Sequence, residues 1–487
     1  MTRQTLPDVR IMLGGRALGA EHDIVSVRVL RALSSPAMAE ISLRGQMPLP
    51  GLGTELRVEG LGPRFDGKIA AAELARRGDG ARVLTLRAFD ALQDLRLTGR
   101  PEALFDVTPA DIARAMGARL GIDVHAPEGG PRIAHIVRTA RSDFDFLLSE
   151  TRRVGLWFYL AADGLHLTGL DGKGALRRVS LETDALDARL EANAALATGA
   201  ITFSGIAPTT LDDLPGFAFG LEEADAFGAN GLGTKNDLPL FNVQAGSADE
   251  ALEIASAEMA QRDAARVTLR AVFEGADAPA LAQPLEIAAP ETDVPGPLVV
   301  TRVEHRLDAS AGHIAEISTA PPPLFDGAQM PRSFWGIVVD NDDPLNAGRL
   351  RCKLPQFGDV ETDWLQVTRA MAGPGRGFAY VPTTGDKVLI HSPSGRPEHG
   401  VVLGALTGRD ALALDAGDGE RFGFVTGAGH RLTFDEGRGE AELEVPSGSR
   451  CTLGPKGIAL SAQGDLTLEA PGRRVLILGD RIDFERG

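Results

Sequence analysis

The chain has 487 residues, with 50 Lys and Arg against 67 Asp and Glu, which gives a formal net charge of −17. This length predicts about three domains. Glycine is abundant (58 residues) and aromatic residues are scarce (5%), a combination that favours many short strands joined by tight turns. Charged residues at 24% and apolar residues at 43% exclude wholesale disorder. The acidic balance argues against a nucleic-acid carrier, because binding phosphates needs a basic face.

Targeting and disulfide signals are weak. Cys352 and Cys451 are too few and too far apart in sequence for a disulfide framework. No apolar run approaches the roughly 20 residues that span a bilayer. Arg16 interrupts the short apolar stretch near the N-terminus, so we expect no secretion signal. We therefore expect synthesis and folding in the cytoplasm, with any later export by another route.

Residues 1–100 predict strands and turns. Alternating or apolar runs mark four strands, at 23–29, 56–59, 67–70 and 81–88. The segment from Gly62 to Lys68 has the spacing of a phosphate-binding loop, but Ile69 replaces the hydroxyl residue that would hold Mg²⁺. Pro63 also removes one backbone N–H. We interpret this segment as strand–turn–strand.

Residues 101–170 predict two helices and a hairpin. Thr108 and Asp111 form a capping pattern, and Gly121 is expected to end that helix. The second helix begins at Ser142 and ends before Gly155, and a hairpin follows at 156–160 and 165–167.

Asp143 and Asp145, near Arg141, are the candidate acids of a paired-carboxylate hydrolase. Capping and the helix dipole explain both residues better. The histidines show no metal-ligand spacing, including His391 with His399.

Residues 171–332 return mainly to β structure with one helix. Ser247 and Glu250 form a capping box, and the helix is expected to bury Leu252, Ala255 and Met259. Residues 207–240 predict a long loop. Prolines at 321–323 and 331 predict a stiff connector, the clearest domain boundary in the sequence.

Residues 333–408 predict a small closed all-β barrel, since closure removes exposed sheet edges. The expected strands are 334–339, 348–354, 364–369, 377–381, 387–391 and 401–406. Trp335 and Trp364 could stack on single-stranded nucleic acid. With so few aromatic residues and a negative net charge, core packing is the preferred interpretation.

Residues 421–487 carry a repeat in which an apolar residue recurs every seven to ten positions. Strands are expected at 440–445, 458–462 and 465–470, each apolar on one face only. Short ribbons of this kind are marginal alone in water. We therefore predict that three copies wrap around a shared axis and cover one another's apolar faces. The predicted trimer core is Leu443, Leu453, Leu460, Leu468, Ile477 and Phe484.

Several motifs, taken in order, resemble the VgrG-like hub-and-spike family of phage tails and contractile injection machines. The similarity is most specific in residues 334–338, 343–351, 363–367, 382–390 and 396–404, which resemble the oligosaccharide/oligonucleotide-type (OB) barrel of that family. Residues 141–147 with 155–159 resemble its hub signature, and residues 429–435 resemble the start of its β-prism spike.

This resemblance implies a mainly β fold with α+β insertions. The implied domains are hub β-barrel 1 (1–100), an α+β hub insertion (101–170), hub β-barrel 2 with a helix and Pro-rich connector (171–332), an OB-fold (333–408) and an intertwined trimeric β-prism spike (409–487). Three chains would then place six related barrels in a ring that matches a hexameric tail tube, while the spike is threefold.

The implied function is a structural hub and spike at the tip of the inner tube, which adapts the tube to a membrane-piercing needle. Implied partners are two sister chains, inner-tube proteins, baseplate subunits, a PAAR-like tip protein, cargo effectors and, transiently, the target envelope. Assembly in the bacterial cytoplasm into a particle that is released or acts at the envelope is expected. No cofactor, metal or nucleic acid is expected.

The sequence departs from some family members at two places. Residues 407–420 are too short for the lysozyme domain that some members carry, which favours a non-enzymatic role. Residues 480–487 lack the His-x-His pattern of some spike tips, so a separate tip protein is expected as the cap. A trimeric tailspike enzyme that degrades polysaccharide and, less favoured, an OB-fold nucleic-acid-binding protein stay as alternatives.

Overall fold

The structure is a computed structural model that describes residues 8–18, 23–45, 47–76, 78, 80–139, 142–193, 195, 198–208, 211–219, 237–240, 244–289, 292–294, 296–323, 331–373, 376–407 and 420–485. Within these residues the chain is mainly β, as predicted. It divides into two compact units, residues 1–405 and 406–487. None of the helices in the described ranges has both the length and the apolar character needed to span a bilayer.

Unit 1 contains three α-helices, α1 (Pro109–Leu120), α2 (Asp143–Arg153) and α3 (Ala248–Arg266). Its strands up to the OB domain are β1 (Arg10–Leu13), β2 (Arg16–Ala17), β3 (Asp23–Ala32), β4 (Met38–Arg44), β5 (Glu55–Glu59), β6 (Phe65–Arg76), β7 (Arg82–Phe89), β8 (Glu102–Val107), β9 (Val124–His125), β10 (Ile133–Arg138), β11 (Trp157–Ala161), β12 (Gly164–Thr168), β13 (Arg177–Ser180), β14 (Asp187–Ala192), β15 (Ala200–Ile206), β16 (Asp213–Phe219), β17 (Asp237–Leu240), β18 (Val267–Glu274), β19 (Pro284–Ala289), β20 (Thr292–Asp293), β21 (Leu298–Val299), β22 (Arg302–Asp308) and β23 (Gly312–Ser318).

The OB domain contains β24 (Arg332–Asp340), β25 (Arg351–Leu354), β26 (Val360–Glu361), β27 (Gln366–Val367), β28 (Lys387–Ser392) and β29 (Val401–Leu406). Unit 2 contains β30 (Arg421–Val425), β31 (Arg431–Asp435), β32 (Glu440–Glu444), β33 (Arg450–Gly454) and β34 (Gly457–Ser461).

The first predicted barrel and the second are not separate. Their strands form one eleven-stranded sheet in the order β14-β18-β23-β22-β3-β4-β7-β6-β5-β1-β2, joined where β22 pairs with β3. The sheet curls into two half-barrels, each over its own core. The first core is built on strands β1–β7, and the second is built on β18 and β22 of this sheet together with β19 of a separate four-stranded sheet. Separate closed barrels were the wrong expectation, because antiparallel pairing of β3 with β22 satisfies both strand edges without closing either half. The predicted strand–turn–strand at Gly62–Lys68 is confirmed by antiparallel β5 and β6.

The predicted helices of the α+β insertion are confirmed. Thr108 and Asp111 form the expected capping box, and Gly121 ends α1 in the left-handed region (φ 69°), which glycine adopts at little cost. Ser142 caps α2 by accepting a hydrogen bond from the Asp145 N–H. Strands β11 and β12 form the predicted hairpin, and β9 adds to β12 in parallel.

The predicted long loop over 207–240 is wrong at both ends. Strand β16 occupies 213–219 and β17 occupies 237–240, and both pair with β15. Residues 220–236 lie outside the described residues. The α3 prediction holds for its cap and for buried Ala255 and Met259, but Leu252 is exposed. The helix packs on β15 and β16 through its other face, so Leu252 points away from that core.

The Pro-rich connector does not separate compact units. The OB domain packs on the α+β insertion, since Val137 of β10 joins the OB core with Phe334 and Val338. The compact division falls instead at 405/406. The finer division into five domains stays a prediction.

The OB domain is a six-stranded sheet in the order β26-β25-β24-β28-β29-β27. Five of its six predicted strands are present: β29 has the predicted bounds, β24 and β28 are longer than predicted, and β25 and β27 are shorter. Strand β26 was not predicted. The strand expected at 377–381 is absent from this described segment, where Phe378 N–H donates to the Ala370 carbonyl in an irregular loop.

Candidate assembly surface

Unit 2 presents a continuous apolar face. Its five strands form an antiparallel meander in which each strand pairs with the next. Cross-strand register places two apolar ladders two residues apart, and therefore on the same side of the sheet. The first ladder is Phe424–Leu432–Leu443–Cys451–Leu460 and the second is Phe422–Phe434–Ala441–Leu453–Ile458.

This apolar face is open to solvent in the single chain. Leu443 is 54% exposed and Ile458 is 73% exposed. Phe422 and Phe434 stack with their ring centroids 5.2 Å apart. The other side of the same sheet is polar, and there Arg421 Nε lies 2.9 Å from an Asp435 carboxylate oxygen and Thr452 donates to Glu442 over 2.9 Å. The sheet thus has one satisfied polar side and one uncovered apolar side.

The predicted trimer-core residues divide into two groups. Leu443, Leu453 and Leu460 lie together on the apolar face. Leu468, Ile477 and Phe484 are exposed but lie beyond β34, where the described residues 462–485 form no strand. The strand expected at 465–470 is therefore wrong for this single chain. Its alternating apolar residues find no pairing partner among residues 420–485, and an unpaired ribbon is marginal in water.

The repeat analysis also missed part of the apolar face. Phe422, Phe424, Leu432 and Phe434 extend it across β30 and β31. The sequence shows these residues as one Phe-x-Phe and one Leu-x-Phe alternation. A repeat of one apolar residue every seven to ten positions, beginning at Leu443, does not include them.

In the OB domain, the segment 343–351 is organised by one buried ion pair. Asp343 accepts hydrogen bonds from the backbone N–H groups of Leu345 (3.1 Å), Ala347 (2.9 Å) and Arg349 (3.2 Å). The Arg349 guanidinium adds a contact of 2.7 Å. Hydrogen bonding from Arg349 holds the pKa of Asp343 well below its usual range. This explains why the segment needs an acid and an arginine at these two positions.

The tryptophans do not both pack in the core. Trp335 is 62% exposed, because Phe334 and Gly336 occupy the inward positions of alternating β24. The core interpretation is wrong for Trp335. Trp364 is half-buried, with the Arg349 guanidinium 5.9 Å from its ring centroid.

The seam between the half-barrels carries a charged cluster. Glu304 on β22 is buried and contacts Arg28 of β3 at 2.6 Å, Arg302 at 2.8 Å and Arg306 at 2.5 Å. Burial raises the pKa of Glu304, but the hydrogen bonds from Arg28, Arg302 and Arg306 outweigh it and lower the pKa to about 2. Glu304 therefore stays ionised and forms an ion pair with Arg28 across the β3–β22 junction.

A second buried cluster ties the OB domain to the insertion. Arg396 Nη1 lies 3.1 Å from both carboxylate oxygens of Glu150 on α2, and its Nε lies 2.8 Å from Glu398. Glu398 also accepts the Val137 N–H at 3.4 Å. Burial raises the pKa of Glu398 and lowers that of neighbouring His399. These charges are compensated by each other rather than by water.

The candidate acids do not share an environment. Asp143 is buried, where it contacts Arg119 at 2.6 Å and Thr98 at 3.0 Å and pairs with buried Arg138. Asp145 is exposed, and Arg141 lies outside the described residues. The capping explanation is therefore incomplete for Asp143, which neutralises two arginines. His391 is half-buried beside Ser333 and His399 is buried beside Ser394.

One group in the described residues has the composition of a metal site. His125, Asp163 and His166 place their ligand atoms within 4.8 Å of one another. Sequence spacing did not indicate this group, because His125 reaches the other two only through the pairing of β9 with β12.

Comparisons with known proteins bear on both units. Residues 334–406 match the family of type VI secretion system/phage-baseplate injector OB domains. No curated protein matches the chain.

Solved structures share the fold over much of the chain. A chain of the lidded Francisella PdpA–VgrG complex has a TM-score of 0.55 at 9% identity, covering 93% of this chain and 79% of that one. The E. coli c3393 protein, described as a type VI secretion component similar to the T4 phage tail proteins gp27 and gp5, has 0.51 at 12%, covering 81% and 99%. The 43 kDa tail protein of Shewanella oneidensis prophage MuSo2 has 0.52 at 13%, covering 64% and 97%. The predicted resemblance to VgrG-like and phage tail proteins is thereby confirmed at the level of fold.

Proposed function

We propose that this chain, which has the fold of VgrG and phage tail proteins and carries an injector-type OB domain, is a hub-and-spike component at the tip of the inner tube of a contractile injection machine. The observation that carries the proposal is the uncovered apolar face of unit 2. An exposed surface of ten apolar or small side chains, on a sheet whose other side is polar, is typical of a protein–protein interface.

The proposed assembly is a homotrimer. Burying one leucine or phenylalanine side chain contributes about 1.5–3 kcal/mol, so covering the face on three chains stabilises an assembly strongly. A closed threefold arrangement uses the same face on each chain and leaves none exposed. Leu468, Ile477 and Phe484 would then find, on sister chains, the strand partners that they lack in the described part of unit 2.

The half-barrels support the second part of the proposal. Each chain contributes two half-barrels, so three chains contribute six. This number matches the six subunits in each ring of a hexameric tube. The proposed hub would in this way convert sixfold contacts to a threefold spike. Inner-tube proteins, baseplate subunits and a separate PAAR-like tip protein are the proposed partners, with cargo effectors carried and the target envelope touched on firing.

We propose a structural role without catalysis and without nucleic-acid binding. The chain would assemble in the bacterial cytoplasm and act as part of a particle. Incubation with capsular polysaccharide and an assay for new reducing ends tests the enzyme alternative, and robust turnover would overturn the structural proposal.

Assembly is tested on the full chain with a matched pair of variants. Leu443→Lys places a charge on the apolar face, while Thr433→Lys places the same charge on the polar side, opposite Glu442. By light scattering, we expect a trimer mass for the wild type and Thr433→Lys, and dissociation for Leu443→Lys. Leu468→Asp tests the segment beyond β34 and should also dissociate the trimer. A wild-type monomer, or a Leu443→Lys trimer of unchanged mass, would contradict the proposal.

Position in the machine needs a separate measurement. Electron microscopy of purified particles should place this chain at the end of the tube, with threefold density beyond it. Particles that lack density for the chain at that point would overturn the placement while leaving the trimer intact.

A further inference from the structure

The α+β insertion brings two histidines and an aspartate to one point on its surface. His125 and His166 are direct neighbours in the parallel pairing of β9 with β12. Their rings stack with centroids 4.5 Å apart and planes 16° from parallel. Asp163 lies in the turn that enters β12. Three potential ligands therefore converge from two strands and a turn.

Both imidazoles direct the same nitrogen at Asp163. His166 Nε2 lies 2.7 Å from Asp163 Oδ1. His125 Nε2 lies 3.7 Å from Asp163 Oδ2 and 3.0 Å from the Asp163 carbonyl oxygen. Both Nε2 atoms therefore lie beside Asp163, that of His166 at the carboxylate and that of His125 at the backbone carbonyl.

The backbone fixes this convergence. Gly164 follows Asp163 with φ 138°, and a Cβ there would lie 2.4 Å from the Asp123 carbonyl oxygen. Only glycine fits this turn, which places Asp163 beside β9. His166 is buried, whereas His125 and Asp163 keep side-chain exposures of 44% and 64%. The group thus has one anchored ligand and two that can adjust.

We propose that His125, Asp163 and His166 bind a first-row transition-metal cation of the zinc type. Tetrahedral Zn²⁺ with bonds of about 2.0–2.2 Å sets its ligand atoms about 3.4 Å apart. The three ligand atoms already lie within 4.8 Å of one another, so adjustments of the two exposed side chains suffice. Two imidazoles and one carboxylate suit Zn²⁺, Co²⁺ or Ni²⁺, whereas Mg²⁺ and Ca²⁺ prefer all-oxygen sites.

Lys173 weakens the site. Its ammonium contacts His166 Nδ1. When Nε2 binds a metal, the neutral ring carries its proton on Nδ1 and can no longer accept from Lys173. Lys173 is exposed and can swing away, but the metal then sits near a positive charge. Removing that charge should tighten binding.

The metal would act as a clamp. Strand β9 has two residues and pairs with β12 over only those two. A cation shared by His125 and His166 would hold this short strand on the hairpin formed by β11 and β12. A ligand that binds only the folded protein raises the melting temperature by mass action.

The test uses the full-length protein, free of affinity-tag histidines and stripped with chelator. Calorimetric titration with ZnCl₂ and the visible absorption of added Co²⁺ report affinity and tetrahedral geometry. We expect one Zn²⁺ per chain, a higher melting temperature with Zn²⁺, and no response to Mg²⁺. His125→Ala and Asp163→Asn, both at exposed positions, should weaken binding by roughly tenfold or more.

Two further variants complete the design. Lys173→Met should bind Zn²⁺ more tightly than wild type. His430→Ala removes an exposed histidine from unit 2 and should leave the affinity unchanged. Absence of a Co²⁺ band, or Zn²⁺ affinity that survives both His125→Ala and Asp163→Asn, would overturn the proposal.

Discussion

Asp343 and Arg349 form a buried pair in which both the guanidinium and the backbone N–H of Arg349 donate to the Asp343 carboxylate. The pair closes a loop in which Asn346 has φ 50° and Gly348 has φ 68°. Because one carboxylate satisfies three backbone N–H groups and one arginine, the loop has a single stable arrangement.

Replacing Asp343 by Asn should destabilise the OB domain. The amide accepts fewer hydrogen bonds and leaves the buried guanidinium uncompensated, at a cost of about 1–3 kcal/mol. Urea unfolding at neutral pH measures the loss. Asp342→Asn is the control, since Asp342 is the exposed neighbour. Equal stability of the two variants would show that the pair does not stabilise the loop.

The sequence identified this segment but not its chemistry. The order Asp-Pro-Leu-Asn-Ala-Gly-Arg in residues 343–349 was one of several segments that together indicated the OB domain. That Asp343 and Arg349 pair requires the loop to fold back over six residues, and many loops of that composition do not. Local capping at Thr108 and Ser142 was predictable because cap and helix are adjacent in sequence.

Glu304 should make the seam between half-barrels sensitive to acid. Its three arginines lower its pKa from the ordinary glutamate value of 4.5 to about 2 in the folded chain. The stabilisation is therefore full above the unfolded pKa and is lost as pH falls through 4.5 towards 2.

The measurement compares Glu304→Gln with wild type at pH 7 and at pH 3. The variant should be less stable at pH 7, and the difference should shrink at pH 3, where Glu304 of the unfolded wild-type chain is protonated while the folded cluster still holds it ionised. The control is Glu316→Gln. Glu316 lies on the neighbouring strand β23 and forms a more exposed pair with Arg270 of β18, so this variant should change stability little at either pH. A difference that is independent of pH would refute this account.

Pairings between distant segments were beyond sequence reasoning. Strand β3 was predicted, and β22 lies in a region predicted only as mainly β, but nothing in the sequence says that the two strands pair with one another and merge two barrels. Likewise β16 and β17 depend on β15 for their hydrogen bonds, so residues 213–219 and 237–240 resemble a loop when read alone.

The charge of Arg396 should be costly to remove. Its loss would leave Glu150 and Glu398 buried and facing each other without compensation, which costs about 3–5 kcal/mol. Arg396→Met should lower the melting temperature in calorimetry, and adding Glu150→Gln should recover part of the loss. Arg189→Met is the control, because Arg189 is 80% exposed. A double variant no more stable than Arg396→Met would contradict the compensation argument.

Thiol labelling of the two cysteines measures whether the apolar face is covered, without a mass measurement. Cys352 lies in the OB core, where burial raises the pKa of its thiol to about 12, so it should resist labelling in any folded state. Cys451 lies on the apolar face between Leu443 and Leu460. If sister chains cover that face, both thiols are protected in the wild type.

Leu443→Lys should expose Cys451 alone. Dissociation uncovers the apolar face while the OB core stays folded, so a thiol reagent should modify one cysteine per chain rapidly and the second only after denaturation. Thr433→Lys should label as slowly as wild type, and peptide mapping identifies the modified residue. Rapid labelling of Cys451 in the wild type would mean that the apolar face is open in solution, and slow labelling in Leu443→Lys would mean that something other than sister chains protects it.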